Sequence, residues 1–324
     1  MKTPNILELK KISFNIEKKS ILKNLNLSIK KGEIHSIMGE KDSGKSTLVK
    51  ILGGFYPSYS YKGSIFIDGS PVKFYSQRDS ERAGIGVVYQ NSSLIPQLNV
   101  YENIFLAKEI SFSGVIDWRK SFEKTKELFS SLGFDIFPGK KISELTNWEV
   151  QIVKLARALI YDPKIIIFDE ITSDLSENEG ESFLQVIRQL KLQKNKTVIF
   201  ISHRTNEIFD ISDRVSVLRN GEIITTEDIQ VADEDILIKK MTGREVGNIE
   251  NGKEILKNLG ITEREKEIID LLLKGYDNKK ICEELFISLN TVKTHIYSIY
   301  QKTNVKNRME LANLIKDRKS HPKV

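Results

Sequence analysis

The chain has few cysteines, tryptophans and prolines: one, two and seven in 324 residues. A lone Cys282 closes no internal disulfide, which excludes a disulfide-stapled scaffold and points to a reducing compartment. Apolar runs are short; the strongest, Ile165-Ile166-Ile167-Phe168, falls far below the ~20 residues a membrane helix needs. The N-terminus passes from Met1-Lys2-Thr3-Pro4-Asn5 into Glu8, Lys10 and Lys11 without an apolar stretch, so no signal peptide is expected. These absences predict a cytoplasmic protein with no transmembrane segment, free to dock on a membrane partner. What is present is ordinary globular material. Hydrophobic residues make up 40% and charged residues 29%, enough for two domains at ~150 residues each. A disordered or collagen-like chain is excluded.

The net charge of +6 is unevenly placed. Residues 252–324 carry 15 Lys+Arg against 10 Asp+Glu, while residues 1–251 carry 35 against 34. A nearly neutral body with a basic tail points to a polyanionic partner for the tail, although a solvated lysine surface gives the same balance.

Hydropathy patterning predicts strands at Ile6–Phe14, Leu25–Ile29 and Ile34–Met38, and a hairpin ending on Asp68-Gly69. Helices are predicted over 119–132, 149–160 and near 177–192. They alternate with strands Lys164–Phe168 and Thr197–Ile201, and a closing hairpin turns at Asn220-Gly221. Helices alternating with near-continuous apolar strands indicate a parallel sheet covered on both faces. Glycine and asparagine at Gly247, Asn251-Gly252 and Gly260 read as a linker, and from Ile261 onward the pattern is purely helical. The expected organisation is a 1–246 domain, a 247–260 linker and a 261–324 domain.

Gly39-Glu40-Lys41-Asp42-Ser43-Gly44-Lys45-Ser46, followed by Thr47, fits G-x-x-x-x-G-K-[ST] between an apolar strand and a helix. Such a loop turns successive N–H groups toward phosphate oxygens at a helix N-terminus. Lys45 is then expected to reach the β- and γ-phosphates and Ser46 to hold Mg²⁺. The apolar strand ending in Asp169-Glu170 supplies a carboxylate for the metal ion and one for the attacking water.

These residues resemble the ATP-binding cassette family, in particular the ATPases of carbohydrate importers. The resemblance extends over roughly 6–246, through Gly86-Val87-Val88-Tyr89-Gln90, Leu94–Leu106, Ile116–Lys120, Ile201-Ser202-His203-Arg204 and Met241–Glu245. It implies an α/β P-loop cassette with a parallel sheet core and a helical subdomain, binding ATP and Mg²⁺. It further implies Gln90 as a contact to metal and water, and His203 as a switch at the γ-phosphate. The chain departs from the family at the loop that caps the γ-phosphate of a facing protomer, which reads Leu145-Thr146-Asn147-Trp148-Glu149-Val150-Gln151. Asn147 and Trp148 stand where glycines permit close backbone approach, and Glu149 adds negative charge. Ile16 takes the place of the adenine-stacking aromatic, with Phe14 two residues earlier, and Ile171 replaces a proline after Glu170. Slow or absent hydrolysis is expected, with ATP a ligand rather than a fuel.

In the tail, Thr262-x-x-Glu265 is a capping box. Ile268, Ile269, Leu272 and Leu273 are placed on one face. A short helix Asn278–Leu285, a turn at Phe286-Ile287-Ser288 and a longer helix with inward Val292, Ile296 and Ile299 give a helix-turn-helix layout. Lys293, Thr294 and Tyr297 form a stripe able to face base edges. The segment resembles the LuxR-type helix-turn-helix domain in Thr262-x-Arg264-Glu265, Asn278-Lys279-x-Ile281, Ser288-x-x-Thr291-Val292-Lys293-Thr294-His295 and Val305–Arg308. That implies a small all-α domain binding double-stranded DNA as a dimer through Met309–Ile315, with Lys279, Thr291 and His295 on phosphates. Cys282, where alanine is usual, reads as core filler.

The combined expectation is an ATP-responsive DNA-binding transcriptional regulator acting as a homodimer. The alternative is a carbohydrate importer ATPase with a DNA-binding tail and a permease partner. A third reading is a permease-bound anchor that neither hydrolyses ATP nor responds to it.

Overall fold

The computed structural model describes residues 3–242 and 261–311, apart from 18, 91–93, 274, 275, 277, 304 and 306–310. The expected linker 247–260 lies outside the described residues, as does the expected dimer helix Met309–Ile315 except Leu311. The chain divides into two units, Met1–Thr242 and Gly243–Val324.

In the first unit the uninterrupted apolar strands sit centrally. Six strands, β3 (Ile34–Met38), β6 (Ile85–Val88), β9 (Ile165–Asp169), β10 (Thr197–Ile201), β11 (Arg214–Arg219) and β12 (Glu222–Asp228), form a sheet in the order β12-β11-β3-β10-β9-β6. The pairings among β11, β3, β10, β9 and β6 are parallel, and β12 closes the edge as an antiparallel hairpin. Side-chain alternation explains the continuous apolar runs. Ile166 and Phe168 face one hydrophobic cluster with Phe183 and Ile187, while Ile165 and Ile167 face another with Leu48, Ile51 and Leu9.

The second cluster corrects the picture of short N-terminal strands flanking a single sheet. β1 (Asn5–Ile16) and β2 (Lys19–Lys30) are long, and with β4 (Lys62–Ile67) and β5 (Ser70–Val72) they form a separate antiparallel sheet, β2-β1-β4-β5. That sheet and helix α1 (Lys45–Leu52) cover one face of the parallel sheet. A two-residue-per-strand hairpin pairs β7 (Ser111–Phe112) with β8 (Val115–Ile116).

Seven further helices complete the described part of this unit: α2 (Gln77–Arg82), α3 (Val100–Phe105), α4 (Trp118–Leu132), α5 (Asn147–Leu159), α6 (Glu177–Lys194), α7 (Thr205–Ile211) and α8 (Glu234–Thr242). Their starts follow capping chemistry. Asp117 accepts a bond from the Lys120 N–H at 2.9 Å, and Ser176 and Glu179 close a capping box before α6.

In the second unit, α9 (Glu263–Leu273), α10 (Asn278–Leu285) and α11 (Leu289–Thr303) enclose Ile268, Ile269, Leu272, Ile281, Val292 and Ile299. Leu271 is buried on α9, whereas Leu273 is 39% exposed, so the inward face is one residue off the expectation. At about 100° per residue Leu271 stands about 60° from Ile268, whereas Leu273 stands about 140° from it, on the far side of the helix. Cys282 packs against this cluster.

Candidate functional site

Parallel pairing aligns the carboxyl ends of the strands. Val88 is level with Phe168, Asp169 with Ile201, and Ile201 with Ile37. The segments that follow, Gly39–Thr47, Tyr89-Gln90, Asp169-Glu170 and Ser202-His203, therefore emerge along one edge, where open α/β sheets bind ligands.

Gly39 and Gly44 shape the first loop. A Cβ on Gly39 would lie 2.4 Å from the Leu218 carbonyl oxygen, and Gly44 holds φ 111°. Lys45 is buried, its Nζ donating to the carbonyls of Gly39 (2.7 Å) and Glu40 (2.9 Å), and stands 3.9 Å from Glu170 Oε1. Burial pulls the Lys45 amine below its ordinary pKa, partly opposed by Glu170 and Asp169. Ser43 Oγ is buried without a hydrogen-bond partner, and no side chain caps α1. Glu40, Lys41, Asp42 and Ser46 are exposed and Thr47 half-buried. An orphaned hydroxyl, an uncapped helix start and a lysine parked on loop carbonyls fit a phosphate group.

Asp169 is buried; burial, then Glu170, pushes its carboxyl up to about 6. That excess of negative charge suits a divalent cation. Glu170 sits at φ 50°, a left-handed conformation costing ~1–3 kcal/mol for a non-glycine residue. Its N–H is held by the Ile201 carbonyl at 3.0 Å. His203 Nδ1 lies 3.8 Å from Glu170 Oε2. Gln90 Nε2 donates to Ser173 Oγ at 3.3 Å, and Ser173 donates to the Glu170 carbonyl at 2.8 Å. The fold thus gathers Lys45, Asp169, Glu170, Gln90 and His203.

Glu207 was not singled out in the sequence. It is buried at the start of α7, where one oxygen accepts from Thr172 (2.8 Å) and Ser202 (2.7 Å) and the other from Arg204 (3.2 Å). It ties the segment after Glu170 to the segment carrying His203. The signal available was Glu207 in a helical first turn five residues after the hydroxyl of Ser202; its other hydroxyl partner, Thr172, is distant in sequence.

At the start of α5, where Trp148 stands in a glycine's place, the structure shows where the bulky side chain goes. The indole turns inward, edge-on to Phe183 (5.9 Å between centroids) and Phe134 (6.4 Å). The carboxylate of Glu149 folds back onto the Thr146 N–H at 2.7 Å, while Thr146 Oγ1 accepts from the Glu149 N–H. Lys140 pairs with Glu149 at 3.2 Å. Burial alone would raise the Glu149 pKa; the Thr146 and Lys140 bonds outweigh it and lower it. The α5 N-terminus is therefore capped by its own carboxylate. Phe14 is buried against Tyr56 (4.4 Å), and Ile16 is 45% exposed.

On α11, Thr291, Lys293, Thr294 and Tyr297 are exposed and His295 is half-buried. Ser288 accepts from the Thr291 N–H at 3.2 Å, fixing the helix start. Lys279 lies on α10; its side chain is outside the described residues. Glu265 (3% exposed) staples α9 to α11 through Lys302 (2.7 Å) and Ser298 (2.6 Å), and closes the capping box with Thr262.

Fold and site define a P-loop nucleotide-binding cassette carried with a helix-turn-helix unit. Residues 22–173 match the ABC transporter family, and residues 259–315 match the luxR family of bacterial regulatory proteins. The chain is similar to the xylose import ATP-binding protein XylG of Moorella thermoacetica, at 41% identity over 75% of this chain and 48% of that protein. It is also similar to the L-arabinose transport ATP-binding protein AraG of Geobacillus stearothermophilus, at 38% identity over 75% and 48%. It spans about half the length of these curated relatives. A dimeric ATP-binding cassette solved in a post-hydrolysis state with ADP and phosphate matches at 30% identity, covering 69% of this chain and 98% of that one, TM-score 0.57. The chain belongs to the ATP-binding cassette family and carries a C-terminal LuxR-family helix-turn-helix domain. Among the described residues no helix is long and apolar enough to cross a membrane.

Proposed function

We propose that this protein is a cytoplasmic, ATP-responsive transcriptional regulator that binds double-stranded DNA as a homodimer, its cassette sensing nucleotide and its C-terminal domain giving the output. The observation that carries the reading is the self-capped α5. The phosphate loop, Asp169, Glu170, Gln90 and His203 are all present, while the carboxylate of Glu149 sits on the Thr146 N–H at the helix end that would face a partner's γ-phosphate.

The loop Gly39–Thr47 cradles the phosphates, with Lys45 leaving the Gly39 and Glu40 carbonyls to reach them. Ser46, Asp169 and Gln90 hold Mg²⁺, which neutralises phosphate charge when bound. Glu170 orients water and His203 faces the γ-phosphate, so slow hydrolysis persists. Lys293, Thr294 and Tyr297 read base edges, while Thr291, His295 and Lys279 contact phosphates. Nucleotide shifts the pairing of two cassettes and with it the spacing of two recognition helices. A coupling of ~1–3 kcal/mol suffices for a several-fold change in DNA affinity.

The test is DNA binding by purified protein with and without ATP–Mg²⁺. Identical affinities would remove the sensor role. The likeness to sugar import ATPases favours a second reading, an importer ATPase with a permease partner and a DNA-binding tail. Robust ATP turnover abolished by Glu170→Gln would support it.

A further inference from the structure

The side chain of His203 is 56% exposed, against 24% for the Glu170 it faces. An imidazole this open is held by its backbone rather than by packing. Glu207 grips that backbone on both sides. Ser202, immediately before His203, donates its hydroxyl to one Glu207 oxygen at 2.7 Å, and Arg204, immediately after, donates to the other at 3.2 Å. Ser202 Oγ also accepts from the Arg204 N–H at 3.0 Å, which closes a ring of bonds around the histidine. The Glu207 oxygen bound to Ser202 accepts in addition from Thr172 at 2.8 Å, two residues after Glu170.

This is a different use of the carboxylate from helix capping. Glu207 is the third residue of α7, the place from which a carboxylate commonly folds back to cap its own helix, yet no side chain caps the start of α7. The carboxylate reaches to the ends of β9 and β10. It is 5% exposed, and burying a carboxylate is costly unless its oxygens find donors. Its three donors come from the two passages that carry Glu170 and His203. The tie extends further, because Ser173, next to Thr172, donates to the Glu170 carbonyl at 2.8 Å and accepts from Gln90 at 3.3 Å. Glu170 itself is held at φ 50°, a strained conformation that its surroundings must over-determine.

We propose that Glu207 is a positioning residue for recognition of the γ-phosphate: by pinning Ser202, Arg204 and Thr172 it sets where His203 stands relative to Glu170, and so how sharply the site tells ATP from ADP. It acts through His203 and not on the nucleotide itself, and the inference rests on the reading that His203 faces the γ-phosphate. A polar group stabilises a charge best when its direction is fixed beforehand. ADP lacks the group that His203 faces, so loosening His203 weakens ATP and leaves ADP as it was.

The experiment is calorimetric titration of the full-length protein with the non-hydrolysable analogue AMP-PNP and with ADP, each with Mg²⁺, the readout being the ratio of the two affinities. A merely structural role for Glu207 would lower stability and leave that ratio unchanged. His203→Ala should lower the ratio by about fivefold or more. Glu207→Ala should lower it comparably with ADP affinity unchanged, and the double variant should fall no further than His203→Ala alone. Glu207→Gln, whose amide oxygen still accepts from Thr172 and Ser202, should restore most of the ratio. Where Glu207→Ala does not fold, Ser202→Ala, which removes one hydroxyl beside His203, decides in its place and should move the ratio in the same direction. A ratio lowered by His203→Ala but not by the deciding variant, or losses that add in the double variant, would overturn the positioning role and leave the reading of His203 standing. A ratio unmoved by His203→Ala would overturn both.

Discussion

Replacing Trp148 with glycine tests whether the residue is a plug over the nucleotide or a part of the core. The indole sits edge-on to Phe183 and Phe134, and Phe183 in turn packs on Phe168 of β9 at 6.0 Å. Removing a fully buried large aromatic costs ~3–5 kcal/mol, and each aromatic pair contributes ~0.5–1.5 kcal/mol beyond burial. Trp148 is half-buried, so the loss falls toward the low end, about 2–3 kcal/mol. A glycine in the first turn of α5 adds up to about 1 kcal/mol relative to alanine. Trp148→Gly should therefore destabilise the cassette by about 3 kcal/mol, with Trp148→Phe recovering much of it. Urea unfolding followed by far-UV circular dichroism measures this, and ATP turnover is measured on the same samples. The expected outcome is a lower midpoint and no gain in turnover. A glycine variant with the wild-type midpoint and turnover raised about tenfold or more would show that Trp148 blocks the nucleotide from outside, refuting the packing argument.

Four further outcomes are expected. Lys45→Ala should abolish nucleotide binding by calorimetry, since the lysine is the principal side-chain charge at the loop, while leaving the helices α9 to α11 intact. Glu149→Gln should keep the cap of α5, because glutamine serves the same role, and should raise ATP turnover; unchanged turnover would remove the carboxylate as the cause of slow hydrolysis. Lys293→Ala should cost ~1–3 kcal/mol on a cognate site and little on random DNA, whereas Lys279→Ala should weaken both alike; loss of each phosphate contact should reduce the salt slope by ~0.9. In Glu265, burial works against ionisation but bonds from Lys302, Ser298 and Thr262 prevail, bringing the carboxyl from 4.5 to about 2. A depressed carboxylate stabilises the fold above its unfolded pKa and loses that effect as pH falls toward the folded one. Glu265→Gln should thus cost about 3 kcal/mol at neutral pH, shrinking between pH 4.5 and 2 in acid titrations of the unfolding midpoint.

The nucleotide loop was legible because its chemistry is local. Gly39, Gly44, Lys45 and Ser46 are fixed by spacing along one strand–loop–helix passage. The continuous apolar run before Asp169 likewise announced a strand buried on both faces. What lay beyond reach depended on distant partners. The antiparallel sheet requires Leu7 to meet Ile67, and nothing in either strand specifies the pairing. Glu207 acquires its role only when Thr172 and Ser202 arrive at the same carboxylate. Residue type also says little about direction. Trp148 looks obstructive by size, yet helical phase at the start of α5 turns it toward Phe183.

The capped α5 bears on how a nucleotide could act as a signal. A ligand shifts an equilibrium only by its difference in affinity between the two states. A cassette that clamps ATP through both protomers couples binding tightly to closure and then resets by hydrolysis. With Glu149 seated on the Thr146 N–H and neutralised by Lys140, the second protomer has less to offer the γ-phosphate. On the proposed reading, affinity then rests mainly on the Gly39–Thr47 loop of one chain, and a small difference between open and paired states is expected. A small difference keeps binding reversible and graded with nucleotide concentration, as a DNA-binding output requires and as a transport stroke does not.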